Sequence, residues 1–192
     1  MNYEIKNVET EVLFDNWGKL KRVTYDYSTG NGKWETQKRE IYDRGNGAAV
    51  LLYNKELQNV ILTRQFRIPT YLNGNKTGML IEVCAGLLDD ESPEEGIKRE
   101  TEEETGYKIG TIKKVFETYM SPGSVTEILY LFIAAYSSDM KVNDGGGVAH
   151  EHENIEVMEI NFQEAINMVE SGEIKDAKTI MLLQYVQLQN IM

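Results

Sequence analysis

The sequence is poor in cysteine and proline, with one Cys and three Pro in 192 residues. Cys84 cannot form an internal disulfide, so we expect it to be a small buried hydrophobic side chain. No apolar run approaches the ~20 residues that a membrane-spanning helix needs. The N-terminus also lacks the basic and then apolar pattern of a signal peptide. These absences predict a cytoplasmic protein that makes no contact with a membrane.

Basic residues are also scarce. The chain has 20 Lys and Arg against 31 Asp and Glu, for a net charge of −11. Domains that bind the nucleic-acid backbone usually show the opposite balance, so we expect no nucleic-acid partner. If the substrate is itself an anion, something other than net charge must hold it. A divalent cation is the natural candidate.

The order of predicted elements favours an α+β fold, with helices packed on a mixed sheet. Strands dominate the N-terminal part, where the turn at 29–32 separates strands at 20–27 and 33–42. Helices are predicted at 93–105, around 162–169 and at 177–188. Further strands are predicted at 12–14, 48–53, 60–67, 79–84, 114–119, 128–136 and 155–160.

The helix at 93–105 is unusually acidic. It begins with Ser92 as the N-cap and Pro93 in the first helical position, and Gly106 ends it. Ile97 is its only large aliphatic residue, so it lacks the apolar stripe of a helix that docks on a sheet. The helix carries six acids, which are Glu94, Glu95, Glu100, Glu102, Glu103 and Glu104.

Two interpretations of this acidic helix remain open. Lys98 and Arg99 can form ion pairs with acids one turn away, which describes a solvated charged surface. However, no base lies three or four residues from Glu100, which shares a helix face with Glu103 and Glu104. Hard cations such as Mg²⁺ and Mn²⁺ prefer carboxylate oxygens and offset their repulsion. The spacing is therefore compatible with a metal site as well as with a charged surface.

The segment that contains this helix resembles the Nudix box, although Gly86 and Glu91 are one residue closer than is usual in the family. The residues that carry the resemblance are Gly86, Glu91, Arg99-Glu100, Glu103-Glu104 and Gly106-Tyr107. Other segments are similar to the ADP-sugar branch, and within it to bacterial members that act on GDP-mannose. They are Tyr25-Asp26, Lys38-Arg39-Glu40, 42–47, 64–67, 82–89 and 119–123.

The resemblance implies a Nudix fold at 45–192, an α/β/α sandwich with a mixed sheet. It also implies an N-terminal strand subdomain at 1–44 that reaches across to the partner in a homodimer with a composite active site. The implied activity is Mg²⁺-dependent hydrolysis of a nucleotide sugar, with GDP-mannose giving GMP and mannose 1-phosphate. Hydrolysis of ADP-ribose and a non-catalytic nucleotide-sensing module are the alternatives.

Site residues follow from the same resemblance. The implied ligands of Mg²⁺, which Mn²⁺ may replace, are the Ala85 carbonyl, Glu100, Glu104 and Glu153. Glu103 is either a further metal ligand or a residue that contacts one of the ligands. Glu153 is the expected catalytic base and Glu151 the alternative, while the alternating His150-Glu151-His152-Glu153 is also compatible with a zinc site. The implied substrate-binding residues are Trp17, Lys38, Arg39, Glu40, Arg67, Gly86, Glu127 and Lys178.

Overall fold

The computed structural model describes residues 3–30, 32–88, 91–148 and 153–192. The chain divides into two compact units. One comprises Met1–Asn46 with Tyr119–Ile128, and the other comprises Gly47–Thr118 with Leu129–Met192.

The first unit is built on a three-stranded antiparallel sheet in the order β1-β2-β3. Its strands are β1 (Glu4–Asp15), β2 (Lys19–Ser28) and β3 (Glu35–Asp43). The strand predicted at 12–14 is therefore only the end of β1. The rest of β1 was not predicted, because its many charged side chains hide the strand pattern in the sequence. In the structure it pairs with β2. β1 is almost fully exposed and carries several large apolar side chains, which are Ile5, Val8, Val12 and Phe14.

The second unit contains a mixed sheet of seven strands. The main order is β10-β5-β4-β9-β8, with β6 paired to β5 and β7 paired to β4. β4 and β9 run parallel, whereas β4 and β5 run antiparallel. The strands are β4 (Asn46–Asn54), β5 (Asn59–Phe66), β6 (Met79–Glu82), β7 (Cys84–Leu88), β8 (Lys113–Tyr119), β9 (Ile128–Ala135) and β10 (Glu156–Asn161).

The core of this unit lies along the parallel pair. Residues 47–52 of β4 are all buried, so both faces of the sheet are covered there, as is usual for parallel strands. Phe132 of β9 is fully buried beside them, and burial of such a side chain contributes about 1.5–3 kcal/mol. Cys84 is 2% exposed, which confirms the expectation that it is buried. The predicted α+β fold with a mixed sheet and an N-terminal strand unit is confirmed.

Within the described residues, four α-helices accompany the sheets: α1 (Ile68–Leu72), α2 (Pro93–Thr105), α3 (Phe162–Ser171) and α4 (Ala177–Leu188). A short 3-10 helix covers Ser138–Met140. The predicted bounds of α2 and α4 are confirmed, whereas α1 was not predicted. None of the helices within the described ranges is both long and apolar enough to cross a membrane.

The strand predicted at 79–84 is broken into β6 and β7 at Val83. The Val83 N–H leaves the sheet and donates instead to Thr179 Oγ1 in α4, at 2.8 Å. This bond joins the end of β6 to the start of α4. It places Glu82, the last residue of β6, close to the N-terminus of that helix.

Candidate active site

Helix α2 turns one face toward the second unit's sheet and contacts β7. Ile97, Thr101 and Glu104 are all buried and follow one another at spacings of four and three residues. The apolar stripe that the sequence lacks is therefore replaced by one aliphatic residue, one hydroxyl and one carboxylate. The sequence did not predict that this carboxylate is on the buried face.

Glu104 is an acid with 2% of its surface exposed. Its carboxylate accepts a hydrogen bond from the Ala85 N–H at 3.3 Å, and the thiol of Cys84, which donates to Thr101 Oγ1 at 3.8 Å, lies nearby. Burial is the main cause that raises the pKa of Glu104 to about 8, and the nearby charges of Glu100 and Glu153 add to the effect. The Ala85 N–H is neutral, so it does not balance the charge of an ionised Glu104.

Glu100 occupies space that is open only because residue 86 is a glycine. A Cβ built on Gly86 would overlap the carboxyl group of Glu100. Burial raises the pKa of Glu100, and the charges of Glu103 and Glu153 raise it further against the opposing effect of Arg99. Gly86 thus brings the backbone of β7 against one of the predicted metal ligands.

Arg99 connects the acids of the predicted Nudix box. Its guanidinium donates to Glu91 at 3.0 Å, to Glu100 at 3.0 Å and to Glu103 at 2.8 Å. The spacing of the bases, none of which lies three or four residues from Glu100, did not predict this ion pair. The forked guanidinium of the adjacent residue reaches several carboxylates at once. The pairing of Arg99 with Glu103, one turn away, is confirmed.

A glycine-rich loop lies against the C-terminal end of α2. The N–H groups of Gly146 and Gly147 donate to the carbonyl oxygens of Glu104 and Glu103, at 2.9 and 3.1 Å. Gly145, Gly146 and Gly147 all have positive φ, which glycine adopts without strain. These contacts satisfy carbonyls that the end of a helix leaves unpaired. Three consecutive glycines ahead of an acidic stretch were the sequence signal for this loop, but the contact itself was not predicted.

The same loop fixes Glu153. Its Oε2 accepts a hydrogen bond from the Val148 N–H at 3.1 Å. Glu153 is near enough to Glu100 and Glu104 to raise the pKa of both. The other candidate base, Glu151, lies outside the described residues, together with His150 and His152 of the alternative zinc site.

The donor groups around Glu104 have the chemistry of a site for a divalent metal ion, but not its arrangement. Among the residues that the structure describes, no three His, Cys, Asp or Glu side chains are arranged so as to hold a metal. Glu100 is instead hydrogen-bonded to Arg99, and Glu104 to the neutral Ala85 N–H. The donor chemistry nonetheless fits a hard cation, because Glu104 is a buried carboxylate close to two other carboxylates and, within the described part of the chain, forms no ion pair with a base. Mg²⁺ and Mn²⁺ prefer such oxygen ligands.

Two predicted substrate-binding cations meet on one buried carboxylate. Arg67, which follows β5, donates from Nε to Glu82 Oε2 at 2.7 Å. Lys178 in the first turn of α4 donates to Glu82 Oε1, and also to Asp176 at 3.0 Å. Glu82 is 3% exposed. The sequence predicted both cations but not the acid between them.

In the first unit, the predicted residue Glu127 is 7% exposed and accepts a hydrogen bond from Arg44 at 2.7 Å. The guanidinium carbon of Arg44 lies 6.0 Å from the ring centroid of Trp17, which is 68% exposed. Arg44 thus joins two predicted site residues that are 110 positions apart in the sequence. It was missed because no local pattern distinguishes it.

The other predicted residues of this unit lie on β3. Lys38 and Glu40 share one face of the strand, and Arg39 points to the other face. Arg39 donates to the Gln37 side chain at 3.1 Å, whereas Glu40 accepts from Arg22 at 3.2 Å. The structure therefore does not place these three side chains on one surface.

Comparison with known proteins identifies the class to which this fold and site belong. The profile of the NUDIX domain matches residues 43–183. A second profile, described as the GDP-mannose pyrophosphatase NudK N-terminal domain, matches residues 4–42. The chain therefore belongs to the NUDIX family, as its resemblance to the Nudix box predicted.

Full-length relatives give a narrower comparison. The chain is 55% identical over 192 residues to the GDP-mannose pyrophosphatase of Yersinia enterocolitica serotype O:8 / biotype 1B, covering 100% of both chains. It is 51% identical over 192 residues to the GDP-mannose pyrophosphatase of Enterobacter sp. (strain 638), again covering 100% of both. It is 54% identical over 188 residues to the protein of that name from Yersinia pestis (strain Pestoides F), covering 98% of this chain and 94% of the relative.

Proposed function

We propose that this protein hydrolyses the diphosphate bond of GDP-mannose with the help of Mg²⁺. GDP-mannose and water would give GMP and mannose 1-phosphate. The observation that carries the proposal is the buried Glu104 beside Glu100 and Glu153, which forms no ion pair with a Lys or Arg among the described residues. The names of relatives 51–55% identical to the chain support the choice of substrate.

We propose Glu100, Glu104, Glu153 and the Ala85 carbonyl as the groups that would hold Mg²⁺. When bound, the ion would neutralise charge on the phosphate oxygens and lower the pKa of a coordinated water. Phosphoryl transfer otherwise requires mainly positioning and charge stabilisation. For this role Arg67 and Lys178 supply positive charge from the second unit. Trp17, an exposed aromatic side chain of the first unit, would stack with a base in the active site of a second subunit.

The activity assay is the first test of this proposal. With Mg²⁺, we expect the purified protein to release GMP and mannose 1-phosphate in equal amounts, and we expect EDTA to stop the release. ADP-ribose, the alternative substrate of the same branch, should show a lower kcat/KM in a parallel assay. A higher value for ADP-ribose would reverse the assignment. Nucleotide binding without turnover of any nucleoside diphosphate derivative would favour a sensing module.

Glu153 is the proposed base that accepts a proton from the attacking water. Its carboxylate is held by the Val148 N–H, and it is close enough to raise the pKa of Glu104. We expect Glu153→Gln to lower kcat by about 100-fold, the lower range for a positioned general base. Glu151→Gln is the matched control and should retain most of the rate. The opposite ranking would transfer the role to Glu151.

We further propose that the protein is a homodimer, with the strand subdomain at 1–44 contributing to the partner's active site. Support comes from β1, where Ile5, Val12 and Phe14 are each more than half exposed although they are large apolar residues. Monomeric proteins rarely leave such a surface open to water. The two family profiles also meet at residues 42 and 43, next to the proposed boundary between 44 and 45. Sedimentation equilibrium should give twice the 22.0 kDa chain mass, and a monomer would contradict the proposal.

A cytoplasmic location is also part of this proposal. Cys84 is free and buried, as is common in a reducing compartment. Recovery of the protein in a membrane or extracellular fraction after cell fractionation would contradict this location.

A further inference from the structure

A group of four charged side chains connects β6 to the start of α4. It consists of Arg67, Glu82, Asp176 and Lys178, and we call it the Glu82 cluster. Glu82 is its centre, because one carboxylate oxygen accepts from Arg67 and the other from Lys178. With two acids and two bases, the cluster is balanced in charge.

Burial alone would raise the pKa of Glu82, but Lys178 and Arg67 outweigh it and leave that pKa lowered. The side chains of Glu82 and Lys178 are 5% and 11% exposed. A carboxylate this deeply buried is ionised only because its cations stay in place. The dependence is mutual, since Glu82 also fixes where the two cations lie.

The backbone holds the cluster rigidly. Asp176 is the N-cap of α4, and its Oδ2 accepts from the Thr179 N–H at 3.0 Å and from the Thr179 hydroxyl at 2.6 Å. Thr179 in turn accepts from the Val83 N–H at 2.8 Å. This series of hydrogen bonds runs from Glu82 through Lys178, Asp176 and Thr179. It ends on the backbone of Val83, the residue that follows Glu82.

Arg67 is the exposed member of the cluster. Its side chain is 39% exposed, whereas that of Glu82 is 5% exposed. Glu82 bonds to Nε, which is the inner nitrogen of the guanidinium, so the contact does not use the two outer amino groups. The charge of Glu104 also contributes to raising the pKa of Arg67, so the guanidinium lies within electrostatic reach of the acidic site.

We propose that Glu82 is a positioning residue that holds Arg67 and Lys178 in the orientation required to bind the substrate's diphosphate. The inference rests on the proposed function, because it takes a diphosphate as the ligand. Glu82 itself does not touch the substrate and acts through the two cations. A fixed guanidinium binds phosphate oxygens with less loss of side-chain freedom than a mobile one.

Two substitutions test this role. Glu82→Asp keeps the charge but shortens the side chain by one methylene, so the chain should remain folded while both cations shift. We expect the KM for GDP-mannose to rise about tenfold, the lower range for groups that orient a ligand, with a smaller change in kcat. Glu82→Gln should raise KM further, because an amide cannot balance two cations.

Arg64 and Glu156 provide the control, since Arg64 is on β5 and forms an ion pair with Glu156 that is exposed to solvent. Glu156→Gln should leave KM unchanged. The effect of Glu82→Asp should also shrink in an Arg67→Met background if Glu82 acts through Arg67. A purely structural role would lower Tm without moving KM in any of these proteins. An unchanged KM in Glu82→Asp would overturn the inference.

Calorimetry with inorganic pyrophosphate and Mg²⁺ separates this inference from the proposed function. Weaker pyrophosphate binding by Glu82→Asp than by the original protein supports the role of Glu82, even if GDP-mannose is not hydrolysed. Equal binding by the two proteins, or no binding by either, rejects it. Failure of the original protein to hydrolyse GDP-mannose counts only against the proposed substrate.

Discussion

Replacing Glu104 by Gln is expected to lower kcat by at least about 100-fold, because groups that merely orient a metal ligand already cost 10–100-fold when lost. Gln has the same size and still offers an oxygen to the Ala85 N–H. The substitution therefore removes the negative charge with little change in packing. The measurement is steady-state hydrolysis of GDP-mannose at saturating Mg²⁺.

The same substitution should stabilise the metal-free protein. Burial raises the pKa of Glu104 in the folded chain to about 8, from the ordinary value of 4.5. The folded state then binds more protons than the unfolded state between these two values, so stability falls as the pH rises through that interval. Gln does not titrate. In EDTA, the Tm of Glu104→Gln should exceed that of the original protein by an amount that grows from pH 5 to pH 8.

Glu102→Gln is the matched control for this experiment. Glu102 lies on the same helix, but its side chain is 40% exposed and its nearest described base is Lys108 at 3.8 Å. Neither kcat nor the pH dependence of Tm should change in this variant. If Glu104→Gln kept a normal rate, Glu104 would not be a metal ligand. If Glu104→Gln had a lower Tm than the original protein in EDTA at pH 8, the charge of Glu104 would be compensated in the folded chain.

The bounds of α2 were predictable from the sequence because every signal that sets them is local. Ser92 accepts a hydrogen bond from the Glu95 N–H at 3.3 Å, and Gly106 ends the helix with φ 79°. The acidic spacing also identified Glu100 and Glu104 as candidate ligands. What spacing did not show is that Glu104 is buried, since this depends on how the helix docks on β7.

The Glu82 cluster shows why other parts of the site could not be predicted. Arg67 and Glu82 are 15 positions apart, and Glu82 and Lys178 are 96 apart. Their contact depends on the break at Val83 and on the N-terminus of α4, which are tertiary features. Arg67 and Lys178 were named only through the family resemblance. Glu82 lies in the similar segment 82–89, but nothing in the sequence marks it as the carboxylate that joins them.

A second large loss of activity is expected for Gly86→Ala. The added methyl group would overlap the carboxyl group of Glu100, which is the mobile end of a long side chain. We therefore expect Glu100 to turn away while the backbone of β7 stays in place. A displacement of about 1 Å in a site residue can reduce the rate about 100-fold, so kcat/KM should fall by that order. Tm should change by little, because the overlap involves no backbone atom.

Gly110→Ala is the control for this substitution, since a Cβ on Gly110 has no neighbour within 4 Å. It should retain both activity and Tm, which would exclude a general effect of replacing glycine. The affinity for Mn²⁺, measured by calorimetry, adds a second readout and should fall in Gly86→Ala alone. A normal rate together with normal Mn²⁺ affinity in Gly86→Ala would mean that Glu100 does not need its observed position. In that case the contact between Gly86 and Glu100 would serve packing rather than catalysis.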